Sequence, residues 1–153
     1  MKQLFLVLSF SLLLCSCSKN KVFDKYIEFK NYDWNMNQTV NFDVNIEDTS
    51  ALYNIYIPVR HIENYPYDGL LLNLTYSAPS GEERTKNYKL KFRDADGKFK
   101  GKGSGDIWDE KEMIIKNNKF NSKGIYKFEI INNMPKTPTQ GIMSLGLLIE
   151  KVK

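Results

Sequence analysis

The chain has 153 residues, of which 42% are hydrophobic and 13% aromatic, so it is long enough for one packed domain and too short for several. Lysine and arginine (22) outnumber aspartate and glutamate (18) by only four, and this balance is too even to indicate nucleic-acid binding. Nine Tyr and nine Phe supply enough large side chains for a core, which argues against disorder. The composition therefore predicts a globular domain without indicating an enzyme.

Residues 1–16 have the pattern of an export signal. Lys2 precedes an apolar run that is too short to span a bilayer. Residues 14–17 read Leu-Cys-Ser-Cys, which resembles the lipobox of bacterial lipoproteins and predicts lipidation of Cys17. Cys15 is the weaker candidate because a bulky leucine precedes it. The alternative is an ordinary secreted protein with a cysteine near its cleavage site.

The predicted anchor determines where the domain lies. Residues 17–21 would form the lipidated cysteine and a short tether of at most about 15 Å, at roughly 3.5 Å per residue. Residues 22–153 would form the domain. The tether is basic and polar rather than acidic, which favours the periplasmic face of a membrane. Because neither cysteine remains free, we expect no disulfide and no thiol catalyst.

Apolar residues recur with a period of two along most of the domain, as half-buried strands require. Between 40 and 46, for example, apolar and polar residues alternate strictly. Six strands are predicted at 40–46, 53–59, 70–76, 88–92, 125–130 and 142–152, with two weaker candidates at 26–29 and 113–115.

Turn-forming residues separate these runs. No amphipathic helix of three turns interrupts them. We therefore predict an all-β protein, a single antiparallel β-sandwich (jelly-roll-like) of about eight strands behind a lipoprotein signal peptide. Spacing alone does not distinguish a jelly roll from an immunoglobulin-like topology. The turn segments are 66–69, 78–81, 94–97, 122–124 and 134–138.

His61 is the only histidine of the chain. A general base or a metal ligand is conceivable there, but no signature marks the partners that a triad or a zinc site needs. We favour a residue at the end of a strand or in a turn that pairs with Glu63. The neighbouring Arg60 is a candidate contact with a partner, because arginine and tyrosine are favoured in interfaces.

The glycine-rich segment 97–105 does not have the spacing of a phosphate-binding loop. It could still bind an anion through its backbone amides and lysines, but a flexible or bulged connection between strands is the favoured interpretation. The segment 94–97 is similar to part of a calcium loop. An EF-hand register would put Phe92 and Gly103 where carboxylates are needed, so a tight turn is expected instead. A looser calcium site with Asp106 or Asp109 as ligands is unsupported. The lysines that could contribute to anion binding by the glycine-rich segment are Lys98, Lys100 and Lys102.

Two further site classes remain open. Pairs of carboxylates for glycoside hydrolysis can be drawn from any protein surface. Exposed aromatic rings could instead form a platform for stacking sugars, although core filling accounts for most aromatic residues in a sandwich. The candidate carboxylates are Glu63, Asp68, Asp106, Asp109 and Glu110, and the candidate platform residues are Trp34, Trp108, Tyr65 and Tyr67.

Four segments behind the lipobox form an ordered set. They are PVRH at 58–61 with YPY at 65–67, the glycine-rich segment with Asp106-Ile107, GIYKF at 124–128 with Ile130 and Met134, and Gly141-Ile142 with LGL at 145–147, Ile149 and Glu150-Lys151. In order and spacing, this set resembles the gliding-motility lipoprotein family GldH. The chain departs from the pattern at Phe99, where the family often has Trp, at Ser144, where an acid is common, and at Leu148, where Arg is common.

The resemblance implies a membrane lipoprotein of the gliding apparatus, which in such bacteria is linked to type IX secretion, and it implies no catalytic residue. We expect a non-enzymatic protein, anchored in the outer membrane through Cys17, that docks with other gliding or secretion proteins of the envelope. No nucleic acid, cofactor or metal is expected. Loops 60–69 and 97–108 should carry recognition. The alternative is a carbohydrate-binding β-sandwich lipoprotein, with glycan as the partner. The candidate partner-binding residues are Arg60, His61, Tyr65, Tyr67, Lys102, Asp106 and Trp108.

Overall fold

The structure is a computed structural model that describes residues 20–152. The predicted signal peptide at 1–16, the lipidation of Cys17 and the first part of the tether lie outside the described residues. Between residues 20 and 152, no helix is both long enough and apolar enough to cross a membrane.

Eleven β-strands and one short 3₁₀ turn, Lys30–Tyr32, make up the described chain. The strands are β1 (Lys21–Glu28), β2 (Asp33–Trp34), β3 (Val40–Ile46), β4 (Tyr53–Ile62), β5 (Gly69–Ser77), β6 (Glu83–Lys91), β7 (Lys102–Ser104), β8 (Ile107–Asn118), β9 (Gly124–Asn132), β10 (Thr139–Gln140) and β11 (Ile142–Lys151).

The strands form two large antiparallel sheets. One has the order β1-β11-β4-β8-β7, the other has the order β3-β9-β5-β6, and β2 pairs only with β10. Each of the eight long strands overlaps one of the eight predicted runs, although β1, β6 and β8 begin well before the predicted ones. Numbered in chain order, these eight read 1-8-3-6 in one sheet and 2-7-4-5 in the other, which is the jelly-roll order. The predicted jelly-roll-like sandwich is confirmed. The count of eight is wrong, because β2, β7 and β10 are too short to show a period.

The core lies between the two sheets and is built from the inward half of each strand. In β3 the burial alternates strictly, with Val40, Phe42, Val44 and Ile46 inside. β11 is buried along most of its length and lies between β1 and β4 within its own sheet. Burial of these side chains supplies the main stabilisation of a sandwich.

The sandwich has two ends with different structures. At the N-terminal end, the amide of Lys151 donates to the carbonyl of Asn20 (2.8 Å), and the turns at 78–82 and 116–123 lie at the same end. At the far end, the loop 92–101 folds over the core. This loop contributes Phe92, which is buried, and Phe99, which packs against the core.

Candidate functional site

The outer face of the five-stranded sheet, which points away from the other sheet, carries a groove of about 800 Å³ that we call the outer groove. Its lining comes from all five strands and from the segment that leads into β7. The lining residues are Tyr26, Glu28, Pro58, Val59, Arg60, Lys100, Gly101, Lys102, Asp109, Glu110, Lys111, Glu112 and Ser144.

The floor of the outer groove is recessed below its rim because small side chains occupy the middle of the sheet. Ser144 and the buried Pro58 lie on the floor, and Gly146 lies opposite Tyr26 in the β1–β11 register. A Cβ at Gly146 would lie 2.7 Å from Cδ1 of the Tyr26 ring and 2.8 Å from the carbonyl oxygen of Lys25. Only glycine therefore allows the Tyr26 ring to lie over β11.

A row of polar and charged residues crosses all five strands along one side of the groove. At its centre, Nε and Nη2 of Arg60 donate to the two carboxylate oxygens of Asp109, at 2.7 and 3.0 Å. This pairing raises the pKa of Arg60, yet the two side chains are 50% and 51% exposed. The remaining members of the row, from register, are Glu28, Ser144 and Lys102.

A second, more apolar row crosses the same face beyond the Tyr26–Gly146 pair. In register these residues are Asp24, Leu148, Tyr56 and Met113. Leu148 is buried although it lies outside the main core, so it is covered on the outer face. The ammonium group of Lys111 lies 4.3 Å from the centre of the Tyr56 ring. The face therefore combines aromatic surface with fixed charges.

The structure places only two of the seven predicted partner-binding residues in the outer groove, Arg60 and Lys102. Asp106 is exposed in the turn between β7 and β8. His61 and Tyr65 are buried, at 0% and 1% exposure, so they are not contact residues. The other two are half-buried: Tyr67 packs on Tyr65, and Trp108 packs on Phe99. The seven predicted residues therefore do not form one surface patch: four lie in strands and three lie in loops or turns.

His61 belongs to the core at the far end. Its ring stacks on Phe92 (4.8 Å between ring centres, 7° between planes) and contacts Phe99 (4.6 Å). Nδ1–H donates to the carbonyl of Ile62 at 2.8 Å, and Nε2 lies 3.8 Å from Oε1 of Glu110. The expected pairing with Glu63 is wrong, because β4 continues to Ile62 and turns His61 inward. The buried carboxylate beside it is Glu110.

The glycine-rich segment forms a close connection at the sheet edge. The amide of Gly101 donates to Oε1 of Glu110 (2.9 Å), and a Cβ at Gly101 would lie 2.3 Å from the carbonyl oxygen of Asp109. The lysine at 100 pairs with Glu112 at 3.4 Å. Before this segment, Oδ1 of Asp94 accepts hydrogen bonds from two later backbone amides, which makes 94–97 a tight turn.

The four residues suggested as a sugar platform do not form one. Trp34 and Tyr65 are fully buried, and Trp34 stacks on Phe29. The exposed tyrosines are Tyr26, at 52%, and Tyr32. Among residues 20–152, no group of three or more His, Cys, Asp and Glu side chains could hold a metal ion. Sequence reasoning missed Tyr26, Glu28 and Ser144 as groove residues, although strand alternation puts Tyr26 and Glu28 on one face of β1.

Comparison with known proteins agrees with the fold and the segments described above. A sequence profile of the GldH lipoprotein family matches residues 21–149. The chain is 31% identical to the gliding motility lipoprotein GldH of Flavobacterium johnsoniae, over 92% of this chain and 91% of that protein. It is 28% identical to a gliding motility lipoprotein GldH homolog of Christiangramia forsetii, over 97% and 95% of the two chains.

Two solved structures are similar to a lesser degree. One is a family GH115 4-O-methyl-alpha-glucuronidase, with 15% identity, a TM-score of 0.40, and coverage of 89% of this chain and 17% of that one. The other is the VP2 subviral particle of infectious bursal disease virus, with 16% identity, a TM-score of 0.39, and coverage of 85% and 32%. The sequence matches over almost the whole chain identify the protein: it belongs to the GldH lipoprotein family.

Proposed function

We propose that this protein is a lipid-anchored, non-enzymatic component of the gliding motility machinery, linked to type IX secretion, which docks with another envelope protein through the outer groove. The observation that carries the proposal is the groove itself, which is lined by the half-exposed Arg60–Asp109 pair of β4 and β8 and by the exposed Tyr26 of the edge strand β1. Arginine and tyrosine are among the side chains that are enriched at energetically important positions of interfaces.

The outer face of the other sheet gives a useful contrast. There, polar side chains bond to one another across strands, as in the hydroxyl pair Thr75 and Thr85 (2.8 Å) and the pair Ser77 and Glu83 (3.0 Å). A face whose polar groups bond to one another is suited to contact with water. In the outer groove, by contrast, aromatic surface lies beside charged groups that can each form a further ion pair or hydrogen bond with a partner.

The charged row defines the chemistry of the partner. Glu28 lies at the β1 side of the row and Lys102 at the β7 side. A complementary surface would present a base toward Glu28 and an acid toward Lys102, with an apolar group over Pro58. Such complementarity fixes orientation and specificity more than it adds affinity.

The sequence supports the membrane part of the proposal. The lipobox at Cys17 and the basic tether favour an outer-membrane lipoprotein that faces the periplasm. Several acyl chains, at about 0.8 kcal/mol per buried methylene, give effectively permanent attachment. Partner search would then take place in two dimensions.

Site-specific photo-crosslinking in cells tests the docking. A photoreactive phenylalanine analogue is placed at Tyr26, in the outer groove, and in a matched strain at Ile125, an exposed position on the outer face of the other sheet. We expect one discrete crosslinked species at Tyr26, containing a gliding or type IX secretion protein, and none at Ile125.

Surface spreading and secretion of alanine variants at the same positions test the function. A Tyr26→Ala, Arg60→Ala double variant that accumulates normally should lose surface spreading and reduce secretion of type IX cargo, whereas Ile125→Ala should behave as wild type. Normal spreading of the double variant would contradict the proposal. Enrichment of glycan instead of protein on the Tyr26 probe would favour the carbohydrate-binding alternative.

A further inference from the structure

A second cavity opens at the N-terminal end of the sandwich, away from the outer groove. It has a volume of about 370 Å³ and lies where β6 diverges from β8. We call it the end pocket. Its lining residues are Tyr76, Ala78, Ser80, Glu82, Arg84, 115–122 and Tyr126.

The end pocket is open because β6 does not close the sandwich along its first half. The inward positions of β6 opposite Leu74 and Tyr76 are Lys86 and Arg84, and both are exposed. Inward-pointing charges at a sheet edge resist packing against the opposite sheet. The core beneath is thereby left accessible from one side.

The floor of the end pocket is aromatic and well supported. Tyr76 is half-buried and stacks on Phe128, with ring centres 5.6 Å apart. Phe120 is buried and contacts Tyr53 at 5.1 Å and Tyr126 at 4.6 Å. These packed rings give the pocket a fixed shape, as small-molecule sites generally have.

The rim is positively charged. Arg84, Lys116 and Lys119 supply three cations, and Glu82 is the one carboxylate among the lining residues. Glu82 accepts two hydrogen bonds from Arg84, at 3.0 and 2.8 Å, which raises the pKa of that arginine. Within residues 20–152, neither lysine has a salt-bridge partner. The amides of three asparagines and the hydroxyls of two serines add polar groups to the lining; these are Asn117, Asn118, Asn121, Ser80 and Ser122.

The end pocket also lies near the point where the chain enters the domain. Asn20 bonds to Lys151, Lys151 pairs with Tyr53, and Tyr53 pairs with Asn118. Three strand spacings of about 4.8 Å place the pocket roughly 15 Å from Asn20. A lipid on Cys17, three residues before Asn20, would hold this end of the sandwich against the membrane.

We propose that the end pocket binds a phosphate ester, supplied by the acidic headgroup of a membrane phospholipid. Lys116 and Lys119 neutralise the phosphate charge, the asparagine amides donate hydrogen bonds to its oxygens, and Tyr76 packs against the attached glycerol. Ammonium and amide groups are suited to phosphate. The phosphate site depends only on the pocket, whereas its supply by the membrane rests on the proposed lipid anchor.

Titration of the full-length lipoprotein in uncharged maltoside micelles tests the site. The probes are dihexanoyl phosphatidylglycerol, glycerol 1-phosphate and dihexanoyl phosphatidylcholine, and the readouts are the dissociation constant and the side-chain amide signals of Asn118 and Asn121. We expect the two anionic probes to shift these signals and phosphatidylcholine to leave them unchanged. Tighter binding of phosphatidylglycerol than of glycerol 1-phosphate supports the membrane source, whereas equal or tighter binding of glycerol 1-phosphate overturns that source and leaves a site for a free phosphate ester.

Variants separate a built site from general attraction to positive charge. Lys116→Gln with Lys119→Gln should weaken binding at least tenfold, and Glu82→Gln should strengthen it by removing the one acid. Lys123→Gln is the matched control, because Lys123 is an exposed lysine of the same segment outside the pocket, and it should change binding less than twofold.

Three results would overturn the phosphate site: a loss of binding in the Lys123 variant equal to that in the double lysine variant, binding of phosphatidylcholine as tight as that of the anionic probes, or no shift of the asparagine amide signals with any probe. Shifts caused by a neutral oligosaccharide in place of the anions would also overturn it, in favour of a sugar site. Arg60→Ala should leave phosphate binding unchanged, so failure of the docking proposal and failure of this site can be told apart.

Discussion

At Arg60 and His61, two successive residues of β4 lie on opposite faces of the five-stranded sheet. Arg60 is half-exposed in the outer groove and holds Asp109, whereas His61 is fully buried and stacks on Phe92. Both contact neighbouring residues of β8, since Asp109 and Glu110 are also successive. The same two strand segments therefore supply a solvent-facing ion pair on one side and a packed aromatic cluster on the other.

The comparison teaches that recognition and stability are separable in this part of the molecule. An exposed ion pair contributes little to folding, since water competes for both charges. A buried aromatic-like ring contributes through packing, and its loss leaves a cavity. Changes on the outer face should therefore affect docking, and changes on the inner face should affect folding.

The largest expected effect is on the inner face. His61→Ala removes a ring packed between Phe92 and Phe99 and should lower the free energy of unfolding by about 2–4 kcal/mol. Urea denaturation measures it, with Arg60→Ala as the neighbouring control, for which we expect a change of less than about 1 kcal/mol. Equal stability of wild type and His61→Ala would show that the cluster does not support the fold.

The floor of the outer groove is the next test, because it couples the outer face to the backbone. Gly146→Ala puts a Cβ against the Tyr26 ring and the Lys25 carbonyl, which should cost about 1–3 kcal/mol through overpacking. Thermal unfolding measures it, with Ser144→Ala on the same floor as the control, where a change within about 0.5 kcal/mol is expected. A Gly146→Ala protein as stable as the control would mean that the ring does not lie over β11.

A smaller effect is expected for the ion pair on the outer face. A double-mutant cycle with Arg60→Ala and Asp109→Ala should give a coupling energy of about 0.2–1 kcal/mol, falling with added salt. Urea denaturation of the four proteins measures it. A coupling energy of several kcal/mol would mean that this ion pair stabilises the fold, which would contradict the separation of docking on the outer face from stability on the inner face.

The smallest effect concerns an exposed ion pair at the N-terminal end. Hydrogen bonds from Ser50 and Lys151 hold the pKa of Asp48 well below its ordinary value. A carboxyl with a lowered folded-state pKa stabilises the fold above the unfolded value, near about 4, and this contribution disappears as the pH falls toward the folded value. Asp48→Asn should therefore be less stable than wild type at pH 7, and the difference should shrink below pH 4. Thermal unfolding across this range checks the sign, and a difference that grows on acidification would contradict it.

The long strands could be predicted from the sequence because apolar and polar residues alternate within each of them. The prediction ended the second strand at Val59, but the alternation of Tyr53, Ile55, Ile57 and Val59 continues to His61 as the next inward position. Extending that period would have identified His61 as a core residue. A histidine is polar, so it does not register as part of an apolar pattern until its aromatic neighbours are known.

The outer groove could not be assembled from local pattern. Tyr26, Ser144 and Arg60 come from three strands far apart in sequence, and they meet through the registers of β1, β11 and β4. Register depends on the packing of whole sheets. The short strand β7 was missed for a related reason: its three residues pair with β8 without a period of their own.

Motility of a charge-swapped protein tests the central claim most directly. Arg60→Asp combined with Asp109→Arg exchanges the ends of the ion pair, so it should preserve folding while inverting the charges presented by the outer groove. In a deletion strain whose spreading is restored by the wild-type gene, we predict normal abundance of the charge-swapped lipoprotein and loss of spreading. Normal abundance with full spreading would contradict the assignment of the outer groove as the docking face.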